Sequence, residues 1–410
     1  MNILFVVNDL SVEAGGVTTI VCGLADALVR REHRVAVATI DHGGTPATPA
    51  LARVVRLAPD RGSSPLCPSR ALKEFLAAHI SEFDIVHIHG IWQRHGHYAG
   101  PLARRAGVPY VVSTHGMLDQ RSLVMGRRWA KWLAWRLWDG PMIRLAAAVQ
   151  CSNDAEYRVS PRLHGRPVVV AGNGIPEESL ADMPARGLWR EKNAARIGRP
   201  DRPMALFLSR IHPKKGLERL LPLWPQLLVR QPDLLLVIAG TGEDAHVQQV
   251  QSLLAQLGLQ QRVLFAGQLV GREKFEAIRD ADMFVLPTFQ EAFSLAVTEA
   301  MATGCPVVIT RECNFEEVQA CQAGVVIDGG DMGRFIGAVD QLASDPALRL
   351  KMGENGRRLV AERFTWSAIA ARMEQAYQAI CTGRPIPPEL APGGGKHRAG
   401  EFRAGDQESK

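Results

Sequence analysis

The sequence predicts an α/β protein of two domains, each a parallel sheet wrapped by helices, and three observations carry that expectation. Short apolar, β-branched runs alternate with helical stretches. The runs are apolar on both faces, as in strands covered by helices on each side. The alternation also breaks off near the middle of the chain and starts again. With 410 residues and 46% hydrophobic content, the chain is long enough for two packed cores.

In the first half the strand-like runs are "NILFVV" (2–7), "RVAVATI" (34–40), "DIVHIH" (84–89), "YVVST" (110–114), "AAVQCS" (147–152) and "PVVVAGNG" (167–174). The pattern restarts with "MALFLSR" (204–210), "LLLVIAG" (234–240), "VLFAGQ" (263–268), "MFVLPT" (283–288), "CPVVIT" (305–310) and "GVVID" (324–328). Gly and Pro interrupt both periodicities in "NGIPEESLADMPARG" (173–187), which sets the boundary between domains at 1–175 and 176–362. Two Rossmann-like domains facing each other across a cleft follow, with any ligand expected outside the carboxyl ends of the strands. The segment 382–410 is rich in Pro, Gly and charge and reads as a disordered tail.

The net charge of +6 is uneven: residues 1–176 carry 20 Lys+Arg against 13 Asp+Glu, so the first domain is the basic one. No run approaches the roughly 18–20 uncharged apolar residues of a spanning helix, and "MNILFVVND" lacks a signal-peptide start, so a cytoplasmic protein is expected. Seven cysteines without a CxxC pair point to buried reduced thiols, not to disulfides or zinc. No nucleic-acid partner is expected.

The stretch "FQEAFSLAVTEAMATGCPVV" (289–308) places two glutamates in an apolar context. "MFVLPT" is a strand, "FQEAF" a turn at its carboxyl end, and "SLAVTEAMATG" a helix stopped at Gly304. The helix start near Phe293, Ser294 and Leu295 offers free N–H groups and a positive dipole end, which suits a phosphate. Glu291 stands just before it and Glu299 about two turns inside, positions that a helix cap and a solvated face would also explain. The basic pair in "FLSRIHPKKGLERL" strengthens a functional reading: Arg210 ends a strand and Lys215 precedes the next helix, and two cations beside a helix start make a site for a diphosphate.

In the first domain Gly15 and Gly16 occupy the loop after the first strand, where adjacent glycines allow close approach of a ligand phosphate. The stretch is not GxGxxG, so a nicotinamide cofactor is not favoured; "AGTGED" (239–244) is a further, weak GxG. His87 and His89 alternate on one strand without a third ligand in range, so metal binding is not expected. His115, at the carboxyl end of a strand, is placed to face a substrate, although such a histidine is more often a structural hydrogen-bonder. "DAD" (280–282) reads as a helix or strand boundary and not as a metal motif.

Together these residues resemble the family-four retaining glycosyltransferases of GT-B fold, the group 1 glycosyl transferases, over nearly the whole ordered chain. "EAFSLAVTEAMATGCPVV" is similar to the family's E-x7-E signature, with "SRIHPKKG", "NGI" and the early "GGV" in support; "HIHGIW" and "STHGML" resemble bacterial enzymes of exopolysaccharide, capsule or O-antigen synthesis. The resemblance implies that Glu291 binds donor-sugar hydroxyls, Glu299 the ribose, and Arg210 and Lys215 the diphosphate. Amides of Phe293, Ser294 and Leu295 would assist, His115 would touch the donor sugar, Gly15 and Gly16 would admit the phosphate, and Gly267 to Leu269 would border the base. Ala292 stands where the family usually has Gly. Segment 363–381 resembles the family's closing helix, which crosses back onto the first domain.

The resemblance further implies transfer of a hexose from a UDP- or GDP-linked donor to a lipid-linked oligosaccharide or polysaccharide intermediate. The nucleotide sugar would be a co-substrate, with no other cofactor and no metal. A nucleotide-sugar epimerase of the same fold and a non-catalytic carbohydrate-binding scaffold are the alternatives. Finally, "GRRWAKWLAWRLWDG" (126–140) holds four of eight tryptophans. At 100° per residue Trp129, Trp132, Leu133 and Leu137 share one face, whereas Arg127, Arg128, Lys131, Trp135 and Trp138 share the other. The second face is expected to meet the anionic inner leaflet of the plasma membrane, making the protein peripheral there.

Overall fold

The computed structural model describes residues 1–60, 66–119 and 128–394. The chain divides into two compact units: Met1–Gly174 joined by residues 366–394, and Ile175–Thr365.

The first unit is a parallel sheet of β1 (Asn2–Asp9), β2 (Arg34–Ile40), β3 (Arg53–Leu57), β4 (Ile85–His89), β5 (Tyr110–Ser113), β6 (Ala148–Cys151) and β7 (Val168–Val170), in the order β3-β2-β1-β4-β5-β6-β7. The period of two along β1 explains its unbroken apolar run. Ile3, Phe5 and Val7 enter one core, beneath helix Gly16–Arg30, and Leu4 and Val6 enter another on the opposite face. Edge strand β3, "RVVRL", escapes the sequence pattern because arginines flank its two valines and no residue in it is fully buried.

The helix Trp366–Cys381 packs within this first unit against helix Gly16–Arg30. Gly23 makes the fit: a Cβ there would stand 2.1 Å from Trp366 Cε2. Arg31 pairs with Glu374 across the two helices, and Tyr377 reaches His87 beneath them. The helix begins at Trp366; Phe364 ends the preceding helix, Pro346–Arg363.

The expected disorder from 382 on is corrected for its first part. Residues 382–394 are ordered, Leu390 is buried, and Gly393 N–H donates to Asp154. Prolines fix the backbone of "RPIPPEL", and Leu390 with half-buried Ile386 holds it against the first-unit core. Residues 395–410 of that segment lie outside the described residues.

The second unit is a parallel sheet of β8 (Met204–Leu208), β9 (Leu235–Ala239), β10 (Val263–Gly267), β11 (Met283–Leu286), β12 (Val307–Thr310) and β13 (Gly324–Ile327), in the order β10-β9-β8-β11-β12-β13. In each sheet the strand order reverses once, at β1/β4 and at β8/β11, and the crevice outside such a reversal is where open α/β sheets bind ligands. Among the described residues the cysteines form no disulfide: Cys151, Cys305, Cys313 and Cys321 are buried as expected, while Cys22 and Cys67 are half-buried and Cys381 is exposed. Among the described residues no helix is long and apolar enough to cross a membrane.

Candidate active site

In the second unit the loops leaving β8 and β11 lie side by side at the reversal, and they carry Arg210, Lys215 and Glu291. Lys215 Nζ hydrogen-bonds Glu291 Oε1, both side chains being largely sheltered. Four hydrogen bonds to backbone carbonyls hold this pair. Phe289 N–H donates to Lys214 O at 2.7 Å, Thr288 Oγ1 donates to the same carbonyl at 2.9 Å, and Arg219 donates to Pro287 O and Thr288 O. Gly216 permits the close approach: its φ is +78° and a Cβ would sit 2.0 Å from Pro287 O. On its other side Glu291 is clasped by backbone, its N–H donating to Glu312 O at 2.9 Å and its carbonyl accepting from Asn314 Nδ2 at 2.6 Å.

Arg210 is exposed and makes no ion pair among the described residues. Its strand end is pinned to the neighbouring loop by Ile211 N–H donating to Thr241 O at 2.8 Å. The glycines of "AGTGED" serve that approach, since a Cβ on Gly240 or Gly242 would lie within about 2.0 Å of Ser209 O or Ile211 O. The GxG therefore has a packing role that accounts for it without a ligand.

Helix Leu295–Ala302 starts beside Glu291, with Ser294 as N-cap accepting from Val297 N–H at 3.4 Å. The cap uses the Ser294 side chain, while Phe293 packs on Phe315 and Phe364, so any role of these two toward a ligand falls to their backbones. Ala292 does not adopt the left-handed conformation, so a side chain is tolerated where the resemblance has Gly. Glu299 lies within the helix and pairs with Lys274 Nζ at 2.5 Å; burial pushes its carboxyl pKa up, and Lys274 opposes that shift. Lys274, on helix Gly271–Asp280, escaped the sequence reading because nothing in "GREKFEAIRD" marks it from surface charge. Gly267 is exposed with φ +73°, whereas the Leu269 side chain is buried in the core and can offer a ligand only its backbone.

Asp280 and Asp282 are structural. Asp280 binds the N–H groups of Gly187 and Arg190, at the start of helix Leu188–Lys192, and so caps that helix, not the one preceding it in sequence. Asp282 holds Arg186 and Arg190 at 2.9 Å each. Among the described residues no group of three or more His, Cys, Asp or Glu forms a metal site.

In the first unit Gly15 (φ +72°) caps helix Gly16–Arg30, and both glycines are exposed with open space where a Cβ would stand. His115 follows β5 with φ +48°, a conformation that its neighbours impose. Buried Glu156 accepts from Thr114 Oγ1 and Gly116 N–H at 2.6 Å each, on either side of His115, and from Ser152 N–H at 2.7 Å. Glu156 was not legible in "SNDAEYR", where it resembles an ordinary first-turn acid.

Behind His115 runs a line of imidazoles. His89 Nδ1 lies 3.3 Å from His115 Nε2, and His89 stacks on His87. Ser113 Oγ donates to Gln150 Oε1, so His87 Nε2 supplies the proton of its own contact with Ser113, and its Nδ1 accepts from Tyr377 O–H at 2.6 Å. Burial lowers the pKa of His115 and of His95 to about 4 and that of His87 to about 3, so these rings are neutral near pH 7.

The tryptophan-rich stretch corrects the expected membrane contact. It is not one helix but helix Arg128–Ala134, a π-helical stretch Trp135–Asp139 and helix Gly140–Leu145. The two faces group as expected, yet their environments are reversed. Trp135 and Trp138 are half-buried: Arg162 lies over Trp135 at 4.3 Å, and Trp138 stacks on His97 with Arg94 at 4.7 Å. Trp129 and Trp132 are exposed, at 70% and 61%. Arg128 is exposed and Lys131 half-buried, while Arg127 lies outside the described residues.

A parallel α/β unit whose switch-point loops hold cations beside a helix start has the layout of a nucleotide-binding protein. Residues 15–174 match the glycosyl transferase 4-like domain and residues 190–359 the glycosyl transferases group 1. Over 298 residues, 67% of this chain and 72% of the relative, the sequence is 30% identical to the GDP-mannose-dependent alpha-(1-6)-phosphatidylinositol monomannoside mannosyltransferase of Mycolicibacterium smegmatis. It is 28% identical to the D-inositol 3-phosphate glycosyltransferase of Xylanimonas cellulosilytica over 91% of this chain and 94% of that one. The fold matches that of Anabaena HepE, solved in complex with UDP, with a TM-score of 0.73 at 18% identity over 92% of this chain and 100% of that chain. The chain belongs to the group 1 glycosyltransferases of GT-B fold, and it is a glycosyltransferase.

Proposed function

We propose that the protein transfers a hexose from a UDP- or GDP-linked donor to a lipid-linked glycan of the cell envelope, with retention of configuration and without a metal ion. The observation that carries this reading is the Lys215–Glu291 pair, held beside the start of helix Leu295–Ala302 with Arg210 uncommitted nearby. A diphosphate is a stronger partner for Lys215 than a single carboxylate. Its arrival would draw Lys215 away and leave Glu291 free to accept from sugar hydroxyls. Glu299 is assigned to the ribose, and backbone around Gly267 to Leu269 to the base. In the first unit His115 is assigned to the donor sugar and Gly15 and Gly16 to a phosphate.

As the bond from the anomeric carbon to the phosphate oxygen breaks, its electron pair passes to the diphosphate, where fixed cations and helix-start amides stabilise the charge. The acceptor oxygen bonds to the anomeric carbon on the face the diphosphate leaves, and its proton passes to the departing phosphate oxygen. No protein nucleophile is required. The mannosyltransferase relative is named for a GDP-linked donor and a phosphatidylinositol-based acceptor, which supports a lipid-borne acceptor. A lipid-borne acceptor would in turn put the protein at work on the inner face of the plasma membrane.

The test is nucleoside diphosphate release from UDP- and GDP-hexoses with polyprenyl-phosphate-linked glycans, with and without EDTA, followed by NMR of the product anomer. Release that survives EDTA and gives the donor's anomeric configuration is expected. Release that depends on manganese, or an inverted product, contradicts the proposal.

A further inference from the structure

The row of imidazoles in the first unit reaches the surface at His115. His87 and His89 are fully buried, whereas His115 is half-buried, so of these three rings it is the one a ligand can meet. The inner end of the row is fixed: His87 is held between Tyr377 and Ser113, and His89 stacks on it with ring centres 4.1 Å apart. The outer contact is of another kind. The His89 and His115 rings lie 17° from parallel with centres 5.5 Å apart, and His89 Nδ1 is 3.3 Å from His115 Nε2. The two nitrogens therefore span nearly the whole gap between the rings, which is the geometry of an edge-to-edge N–H···N hydrogen bond and not of a stack.

The direction of that bond follows from the surroundings of His89. Burial lowers its pKa well below the ordinary value, so the ring is neutral and carries one proton. Its Nε2 is buried with no hydrogen-bond partner among the described residues. A proton there would be an orphaned N–H, whereas on Nδ1 it meets His115 Nε2, so His89 donates and His115 accepts. Neutral His115 then carries its own proton on Nδ1. His95 Nε2 donates to His89 O at 2.9 Å and steadies the backbone of the donating ring.

The backbone of His115 is fixed separately. Its φ of +48° is one that few non-glycine residues adopt, and both flanking residues donate to a single oxygen, Glu156 Oε1, at 2.6 Å each. A carboxyl group this deeply buried is costly unless its oxygens are matched, and two of the bonds that match it clamp the turn at His115.

We infer that His89 and Glu156 are positioning residues, His89 setting the tautomer of His115 and Glu156 its backbone, so that His115 presents an Nδ1–H donor to an oxygen of the donor sugar. This rests on the assignment of His115 to that sugar under the proposed function. A fixed donor also discriminates: a hexose with a hydroxyl at that position pairs with it, and the corresponding deoxy sugar leaves the N–H unmatched.

The test uses the full chain with isotope-labelled histidine. Proton–nitrogen correlation NMR distinguishes the two imidazole tautomers, and the His115 pattern is identified by its loss in His115→Ala. His89→Phe keeps a ring to stack on His87 and removes the donor; His89→Asn gives up the ring and keeps an N–H where Nδ1 stands. Protonation of His115 on Nδ1 is expected in the wild type and in His89→Asn, with a shift to Nε2 in His89→Phe. Calorimetry with UDP-glucose and GDP-mannose should show affinity for whichever binds falling on the order of tenfold in His89→Phe and in Glu156→Gln and retained in His89→Asn, while UDP and GDP affinities on the same samples stay unchanged. A wild-type His115 protonated on Nε2 overturns the inference, as does a nucleotide-sugar affinity damaged more by His89→Asn than by His89→Phe, the order that a purely structural ring would give. Unaltered affinity in Glu156→Gln overturns the role of Glu156. A tautomer that responds as expected, in a chain whose nucleotide-sugar affinity is indifferent to His115→Ala, upholds the positioning and counts against the assignment of His115 to the donor sugar alone.

Discussion

Lys215 pairs with Glu291, and in the proposed reaction an arriving diphosphate would take Lys215 from it, an exchange that single substitutions can expose. Arg210→Ala and Lys215→Ala should each slow turnover on the order of 100-fold if, as proposed, both act where charge develops on the leaving diphosphate. Near-wild-type turnover in both variants removes them from the reaction. The two glutamates should part company: Glu291→Gln impairs sugar transfer with little loss of nucleoside diphosphate affinity, and Glu299→Ala does the reverse. Lys274 adds a pH test. Burial already raises the Glu299 pKa and Lys274 restrains it, so Lys274→Met should raise it further. Nucleotide affinity in that variant should fall as pH is lowered, and begin to fall at a higher pH than in the wild type. Calorimetry across pH that shows parallel profiles would separate Glu299 from the nucleotide.

At the scale of elements, the loops around the site depend on two glycine contacts. Gly216→Ala forces a side chain onto a φ of +78° against Pro287 O, so a loss of stability on the order of 2 kcal/mol is expected, together with slower turnover because Lys215 shifts. An unchanged melting temperature would show that the loop yields freely. Gly23→Ala should likewise loosen helix Trp366–Cys381, and Trp366→Leu in the same chain should recover part of the loss. What the sequence made legible follows the same division. Strands buried on both faces announce themselves as apolar runs, and the E-x7-E spacing located both glutamates because turn and helix start are adjacent in sequence. Glu156, Lys274 and the buried side of Trp135 and Trp138 were hidden, since each is defined by a partner far along the chain. The π-helical stretch at Trp135–Asp139 has no mark in a 100° projection.

At the scale of the whole molecule, the first unit buries neutral histidines whose folded pKa values lie below the ordinary 6.5. Between pH 6.5 and about 4 the unfolded chain takes up protons that the folded unit refuses, so stability is complete above 6.5 and declines as pH falls through that window. A melting temperature that is flat from pH 7 to 4.5 would contradict this burial. Titration calorimetry with UDP and GDP shows whether Arg210 and Lys215 of the second unit hold the diphosphate of a nucleotide sugar, as proposed. Saturable one-site binding of at least one of the two by the wild-type chain, weakened on the order of 100-fold or more in Arg210→Ala with Lys215→Ala, is expected; a double variant that binds as tightly as the wild type, or a wild type that binds neither nucleotide, rules out this role for the two cations.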